Sequence, residues 1–250
     1  MRSKRARLDR FLSTALGINR RSVRLMLAQE RIMLDGRPAA DINQLVDEFS
    51  RVTCDGQILQ ANTPVYVMMH KPPGVVSATR DEKHQTVVDL LGRPDRGQLH
   101  IVGRLDLNSS GLLLLTNDGR WSRQLTCPEQ KVIKRYRVTV GNPITDDTVT
   151  AFAEGMVFAF ENITTRPAKL EVIAPTVAEV SLVEGRYHQI KRMFGRFQNP
   201  VLTLHRLAIG GLELDEALDP GQSRELTQGE LKAIATGNDS SKKSHSGSDR

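Results

Sequence analysis

A chain of 250 residues, 39% hydrophobic and 26% charged, has an ordinary globular composition and room for one large domain or two unequal ones. No apolar run approaches the ~20 residues of a membrane span. The basic opening, Met1 to Arg10, lacks the apolar stretch of a signal peptide, so a cytoplasmic location is expected. Cys54 and Cys127 stand alone, outside any Cys-x-x-Cys pair, and the six histidines show no metal-ligand spacing, which argues against zinc and a disulfide framework; chemistry without metal or cofactor is expected. The net charge of +6 is unevenly spread. Through Arg31 there are nine arginines or lysines against Asp9 and Glu30, a surplus of +7, so the other 219 residues come to about −1. That asymmetry reads as a polyanion-binding module joined to a near-neutral body.

Met1 to Ala6 is a basic arm without periodicity, expected to be disordered until bound. Leu8, Phe11, Leu12 and Leu16 keep helical spacing, and Gly17 is a left-handed stop. Asn19 caps a second helix whose Val23, Met26 and Leu27 face inward while Arg20, Arg21 and Arg24 ride its first turns and outer side. Arginines there oppose the helix dipole, and a bound phosphate reverses that sign. Ile32 to Gly36 and Val52 to Gly56 each read as a short strand entering an Asp-Gly turn. Gln57 to Pro64 reads as a polar connector, dividing a domain over 1–60 from a larger one over 61–236.

Val65 to Met69 is a predicted strand feeding His70-Lys71-Pro72-Pro73-Gly74, a stiff loop with an exposed cation at Lys71. Val87, Val88, Leu90 and Leu91 form an apolar island read as a helix. Gly103 to Gly119 then reads as strand, functional loop, buried strand and turn, with Ser109, Ser110 and Gly111 bending the backbone and Leu112 to Leu115 anchoring it. Asp106 lies in that loop, a position that, taken alone, is more often held by a turn cap than by a nucleophile. Trp121 and Leu125 mark a helix stopped before Pro128, and Ile133 to Val140 a strand carrying Tyr136. Thr145 caps a helix with an acidic first turn, and Ala168–Ile173 and Ala178–Val183 pair as strands. After Gly185 the period turns helical, with Ile190, Met193, Phe194 and Phe197 as a buried stripe flanked by Arg186, Lys191, Arg192 and Arg196. Strands follow over Val201–Leu207 and Leu212–Leu214, then a helix opened by a Thr227–Glu230 capping box and a disordered tail over 237–250. The fold class expected is α+β, with a mixed, largely antiparallel sheet and flanking helices.

Gly103-Arg104-Leu105-Asp106 with Ser109-Ser110-Gly111-Leu112-Leu113, then Lys134-Arg135-Tyr136, then Glu184 to Met193 resemble, in order, three motifs of RNA pseudouridine synthases of the RsuA and RluA type. The Tyr187-His188-Gln189-Ile190-Lys191-Arg192 wording is closest to the small-subunit ribosomal RNA branch. The two leading helices with their Asp-Gly strand turns resemble the S4 RNA-binding module, with a helix-turn-helix DNA reader as the rival. The Lys71-Pro72 element resembles the family's first core motif.

That resemblance implies isomerisation of a uridine in 16S rRNA or a small-subunit assembly intermediate, by a monomer that uses no metal or nucleotide cofactor. Asp106 would act from the ribose side, by covalent attack at C1′ or by proton removal at C2′. Lys191 would pair with that carboxylate, Tyr136 would stack on the target base, and Arg104 would enter the RNA helix where the flipped nucleotide left. Arg20, Arg21, Arg24, Lys71, Arg186 and Arg192 would bind RNA. A 23S rRNA site, or a non-catalytic S4-type assembly factor, is the alternative. A nucleotide-dependent enzyme is disfavoured because the chain has no phosphate-loop or dinucleotide fingerprint.

Overall fold

The computed structural model describes residues 5–236; most of the expected basic arm and the expected tail over 237–250 lie outside the described residues. The chain divides into two compact units, one running to Val65 with Asp118–Arg120, the other comprising Tyr66–Asn117 and the chain from Trp121.

The first unit contains β1 (Ala6–Arg7), α1 (Leu8–Leu16), α2 (Arg20–Ala28), β2 (Ile32–Leu34), β3 (Arg37–Pro38), β4 (Leu45–Val46), β5 (Val52–Cys54) and β6 (Gln57–Gln60). Gly17 ends α1 at φ +67°, and the Asn19 side chain caps α2 by accepting from the Ser22 N–H at 3.0 Å, both as the residue types require. Leu8, Leu12, Val23, Ile32, Val46 and Val52 form its core. Asp35-Gly36 and Asp55-Gly56 all have positive φ, the signature of a tight hairpin turn, and they join β2 to β3 and β5 to β6. Gln57–Pro64 is therefore not a plain connector. Its first four residues form an edge strand, whose exposed Gln57 and Ile58 conceal it from pattern reading. Ala6 likewise belongs to a short strand, β1, paired with β4.

The second unit contains β7 (Tyr66–Lys71), β8 (His100–Val102), β9 (Ser110–Thr116), α3 (Gly119–Thr126), β10 (Lys134–Val140), α4 (Asp146–Glu154), β11 (Val157–Phe158), β12 (Ile163–Thr164), β13 (Lys169–Ala174), β14 (Val177–Leu182), α5 (Gln189–Gly195), β15 (Val201–Ile209), β16 (Leu212–Glu213), β17 (Ser223–Glu225) and α6 (Gln228–Thr236). Among the described residues its sheet has nine strands in the path β13-β14-β10-β15-β9-β7-β17, with β16 on β15 and β8 on β9. Only the β9–β15 pairing in this sheet is parallel. The class is α+β, with a mixed and largely antiparallel sheet.

Leu112 to Leu115 are completely buried, which explains four consecutive leucines in a central strand packed on both faces. Leu112 and Leu114 join Met68, Val102, Ile209, Leu212 and Ile234 in one core. The α4 and α5 helices meet through Phe152 and Phe194, ring centroids 4.9 Å apart. Residues 87–90 form turns rather than the expected helix, although Val87, Val88 and Leu91 are buried. Asp89 Oδ2 accepts from the Thr86 N–H at 2.9 Å and its hydroxyl at 2.8 Å, closing one capped turn, and Gly92 and Pro94 follow before a second can propagate. Helix α5 is also shorter than its apolar period suggests. It ends at Gly195, and Phe197 lies half-buried in the turn beyond.

Candidate active site

The segment Gly103–Ser109 forms a loop held on both sides before the chain enters β9 at Ser110. On one side the buried Arg206 of β15 donates from Nη2 to the Gly103 carbonyl at 2.9 Å and from Nε to the Leu112 carbonyl at 2.7 Å. Ser77 Oγ donates to the Leu105 carbonyl at 2.7 Å and accepts from its N–H at 3.1 Å. On the other side Lys71 Nζ donates to the carbonyls of Pro72, Leu107 and Ser109 at 2.9, 3.2 and 2.7 Å. Asp106 thus sits between anchored residues, and its own carbonyl closes a turn by accepting from the Ser109 N–H at 3.0 Å.

Two expectations change here. Lys71 is not an exposed cation but has no accessible surface, so it cannot touch RNA; its charge is spent on three loop carbonyls. Burial pulls its pKa down to about 8 even though Asp106 works in the opposite direction. Gly111 is not a bend before the strand but a member of it. At φ +107° it lets β9 lie so close to β15 that a Cβ would stand 2.3 Å from the Arg206 carbonyl oxygen.

The opposite wall comes from the Glu184–Gln189 segment after β14. Buried Glu184 accepts from the Arg166 N–H at 2.9 Å, Gln189 Nε2 at 2.7 Å and Arg186 Nε at 3.1 Å, while Gln189 Oε1 accepts from the Arg186 N–H at 3.1 Å. This clamp folds the segment back on itself and puts His188 at φ +49°, immediately before α5. His188 Nε2 then lies 3.3 Å from Asp106 Oδ2, and Lys191 Nζ donates to the same oxygen at 3.1 Å. Among the described residues the Asp106 carboxylate has no partner besides these two and accepts no backbone N–H. A turn-capping aspartate would use its oxygens on backbone amides, so the geometry disfavours that reading.

Tyr136, 8% exposed, is held in β10 between Val180 of β14 and Arg206 of β15. It faces a pocket of about 420 Å³ lined also by Arg104, Asp106, Lys134, Arg186 and His188. The structure therefore brings Asp106, Tyr136 and Lys191 into one neighbourhood, with exposed Arg104 and Arg186 at the pocket. Arg192 points elsewhere. Its guanidinium makes two 2.6 Å bonds to Glu161 and lies 3.8 Å above the Phe158 ring, fastening the β11–β12 hairpin, so its expected role toward RNA is displaced by a structural one. In the first unit Arg20, Arg21 and Arg24 are all exposed, and Arg20 also pairs with the buried Asp9 at 3.2 Å.

Sequence reasoning does not single out His188, Lys134 or Arg206 as functional. The one available sign is charge on a strand or motif position that otherwise alternates with core residues, as in Leu204-His205-Arg206-Leu207-Ala208.

Residues 65–195 match the profile of a family described as RNA pseudouridylate synthase. The chain is 48% identical over 229 residues to a ribosomal small subunit pseudouridine synthase A of Pseudomonas aeruginosa, covering 91% of this chain and the whole of that one. It is 41% identical over 230 residues to the protein of that name from Escherichia coli K12, covering 91% and 99% respectively. A solved pseudouridylate synthase structure, 34% identical, aligns with a TM-score of 0.67 over 91% of this chain and 99% of its own.

Proposed function

The chain belongs to the RNA pseudouridylate synthase family, an isomerase family, and from that premise we propose that it converts one uridine of 16S rRNA to pseudouridine, with Asp106 as the catalytic carboxylate. The observation that carries this reading is the state of that carboxylate. Both of its partners sit on Oδ2, which leaves Oδ1 open toward the sugar of a flipped nucleotide. An ammonium at 3.1 Å fixes the direction of that carboxylate. Tyr136 supplies an aromatic face for the base, and the anchored loops keep the constellation from relaxing between steps. The small-subunit target rests on the names of the relatives. Carbodiimide mapping by primer extension, after incubation with 16S rRNA, 23S rRNA and small-subunit precursor particles, tests it. A new pseudouridine in 23S rRNA alone would move the target to the large subunit; none in any substrate would leave the assembly-factor reading.

Arg104 is exposed at the pocket and has no hydrogen bond or ion pair among the described residues, which suits insertion into the helix vacated by the target nucleotide. Arg104→Ala is expected to lower turnover ~10-fold, the effect of losing ~1.4 kcal/mol in the extruded state, while initial RNA affinity stays close to wild type. An equal defect on a substrate whose target uridine is already unpaired would remove the wedge role.

The first unit we assign to rRNA binding as an S4-like module. Arg21 and Arg24 stand on the exposed side of α2, so replacing both by alanine should leave the fold intact and flatten the salt dependence of rRNA binding. For every phosphate that is no longer neutralised, the log-log slope should fall by ~0.7 to 0.9. A salt titration with an unchanged slope would show that this helix face does not meet the backbone.

A further inference from the structure

One cation of the pocket has no place in the scheme above. Lys134 opens β10 two residues before Tyr136, so both side chains leave the same face of the strand. It is half-buried, paired in register with the buried Leu182 and Ile209, and lines the 420 Å³ pocket with Asp106 and Tyr136. Among the described residues its ammonium has no hydrogen bond and no ion pair. Withdrawing an unpaired ammonium from water is costly, and here the cost is visible, because burial and the nearby Arg206 pull its pKa down to about 8.

The other charged and titratable groups facing the pocket are Asp106, Arg104, His188, Arg186, Glu184, the buried Arg206 and the hydroxyls of Tyr136 and Tyr187. Asp106 is engaged by Lys191 and His188, and Glu184 is saturated by its three donors, so neither neutralises Lys134. The pocket wall therefore keeps an uncompensated positive charge beside Tyr136.

We propose that Lys134 binds the detached uracil ring and stabilises the negative charge that the ring carries once its bond to the sugar has broken. This rests on the isomerase reading above. When N1–C1′ breaks heterolytically, the electron pair stays with the base and spreads from N1 onto O2 and O4. That is so whether C1′ bonds to an Asp106 oxygen, or Asp106 takes the C2′ proton and the C–H pair forms a C1′=C2′ double bond. The base remains a monoanion until C5 bonds to C1′, as the C1′–O bond to Asp106 breaks or, on the other route, as C2′ takes its proton back from Asp106; the C5 proton then leaves, N1 gains one, and neutral pseudouridine results. A half-buried ammonium among Val102, Leu125 and Ile209 suits a flat, delocalised anion, whereas the exposed Arg186 suits a strongly hydrated phosphate.

The test compares wild type with Lys134→Met, which keeps the length and removes the charge, and with Lys134→Arg. Single-turnover rates are measured at saturating enzyme on the same rRNA carrying uridine or 5-fluorouridine at the target, by the disappearance of the parent N-nucleoside on chromatography after digestion to nucleosides, a readout that needs no loss of the C5 substituent. The fluorine makes the departing base a more stable anion and so less dependent on Lys134. Expected is a ~100-fold slower rate for Lys134→Met on uridine, a much smaller loss on 5-fluorouridine, unchanged RNA affinity and recovery of most of the rate by Lys134→Arg. The wild-type rate should also fall as pH rises through about 8, where Lys134 loses its proton, and that limb should move to higher pH in Lys134→Arg. Thermal melting checks that Lys134→Met is folded, and Lys134→Arg tests the charge if it is not. A loss of affinity that accounts for the whole defect would make Lys134 a phosphate contact, and equal defects on the two bases would remove the anion role; either overturns the proposal. A wild type that modifies no rRNA sinks the isomerase reading and this inference together, whereas an active wild type with an equally active Lys134→Met sinks this inference alone.

Discussion

Asp106→Asn is expected to yield a folded protein that binds rRNA with wild-type affinity and makes no pseudouridine. Asparagine preserves the side-chain volume and still offers an oxygen to Lys191, so the loop pinned by Arg206, Ser77 and Lys71 should hold its shape. What disappears is the negative charge and the oxygen that the proposed mechanism uses as base or nucleophile. The same substitution at a turn cap would cost at most ~1 kcal/mol and leave activity intact, since Asn caps about as well as Asp. No other carboxylate in these motifs is free to substitute, because Glu184 is buried and committed to three donors. Primer-extension mapping of alkali-resistant carbodiimide adducts on 16S precursor particles is the measurement. Pseudouridine formed by Asp106→Asn at the wild-type rate would overturn the mechanism.

The second large effect is on stability. Gly111→Ala places a methyl group 2.3, 2.6 and 2.9 Å from the carbonyl oxygen, nitrogen and carbonyl carbon of Arg206, at a φ of +107° that side chains rarely adopt. Backbone strain and overpacking each cost ~1–3 kcal/mol, and here the obstacle is main chain that cannot swing aside, so a loss on the order of 4 kcal/mol is expected. In a chain of this size that lowers the melting temperature by about 8–16 °C. Gly92→Ala is the control, since its Cβ would meet nothing within 4 Å, and should melt within about a degree or two of wild type. If both variants melt alike, the close approach of β9 to β15 is not what selects glycine. A milder Gly111→Ala that folds should still lose activity, because Arg206 also holds Gly103 at the start of the catalytic loop.

Much of the site is legible in the sequence because its parts are local. Asp106 stands between an apolar pair and a leucine run, and Lys191 is one residue from the apolar stripe of α5; these local patterns give their positions, and the resemblance of the motifs around them to those of a family singles them out. Local chemistry likewise announces the Asn19 and Thr145 caps, the Thr227–Glu230 capping box and the two Asp-Gly turns, and the structure contains each of them.

The differences between sequence and structure share one cause. Lysine is seldom buried, so Lys71 looks exposed in the sequence, yet the three carbonyls that satisfy it include those of Leu107 and Ser109, more than 30 residues away. Gly111 looks like a bend because the strand that presses on it, β15, arrives almost a hundred residues later. The pattern over 87–91 is apolar enough for a helix, but core burial and one capped turn use those residues without propagating one. Arg192 matches a motif, yet Glu161 and Phe158, brought to it by the β11–β12 hairpin, take its charge.

By itself, then, the sequence determined what depends on neighbours a few residues apart: helix starts and stops, hairpin turns, the buried strand, the basic amino-terminal segment and the order of the family's motifs. Only the tertiary structure decided which charges remain available for chemistry. Whether a lysine or arginine faces a substrate or a carbonyl depends on what distant strands bring beside it, and burying a charge is so costly that each such residue is committed wherever an acceptor arrives. Lys71, Arg192 and Arg206 found acceptors in the fold, and Lys134 did not.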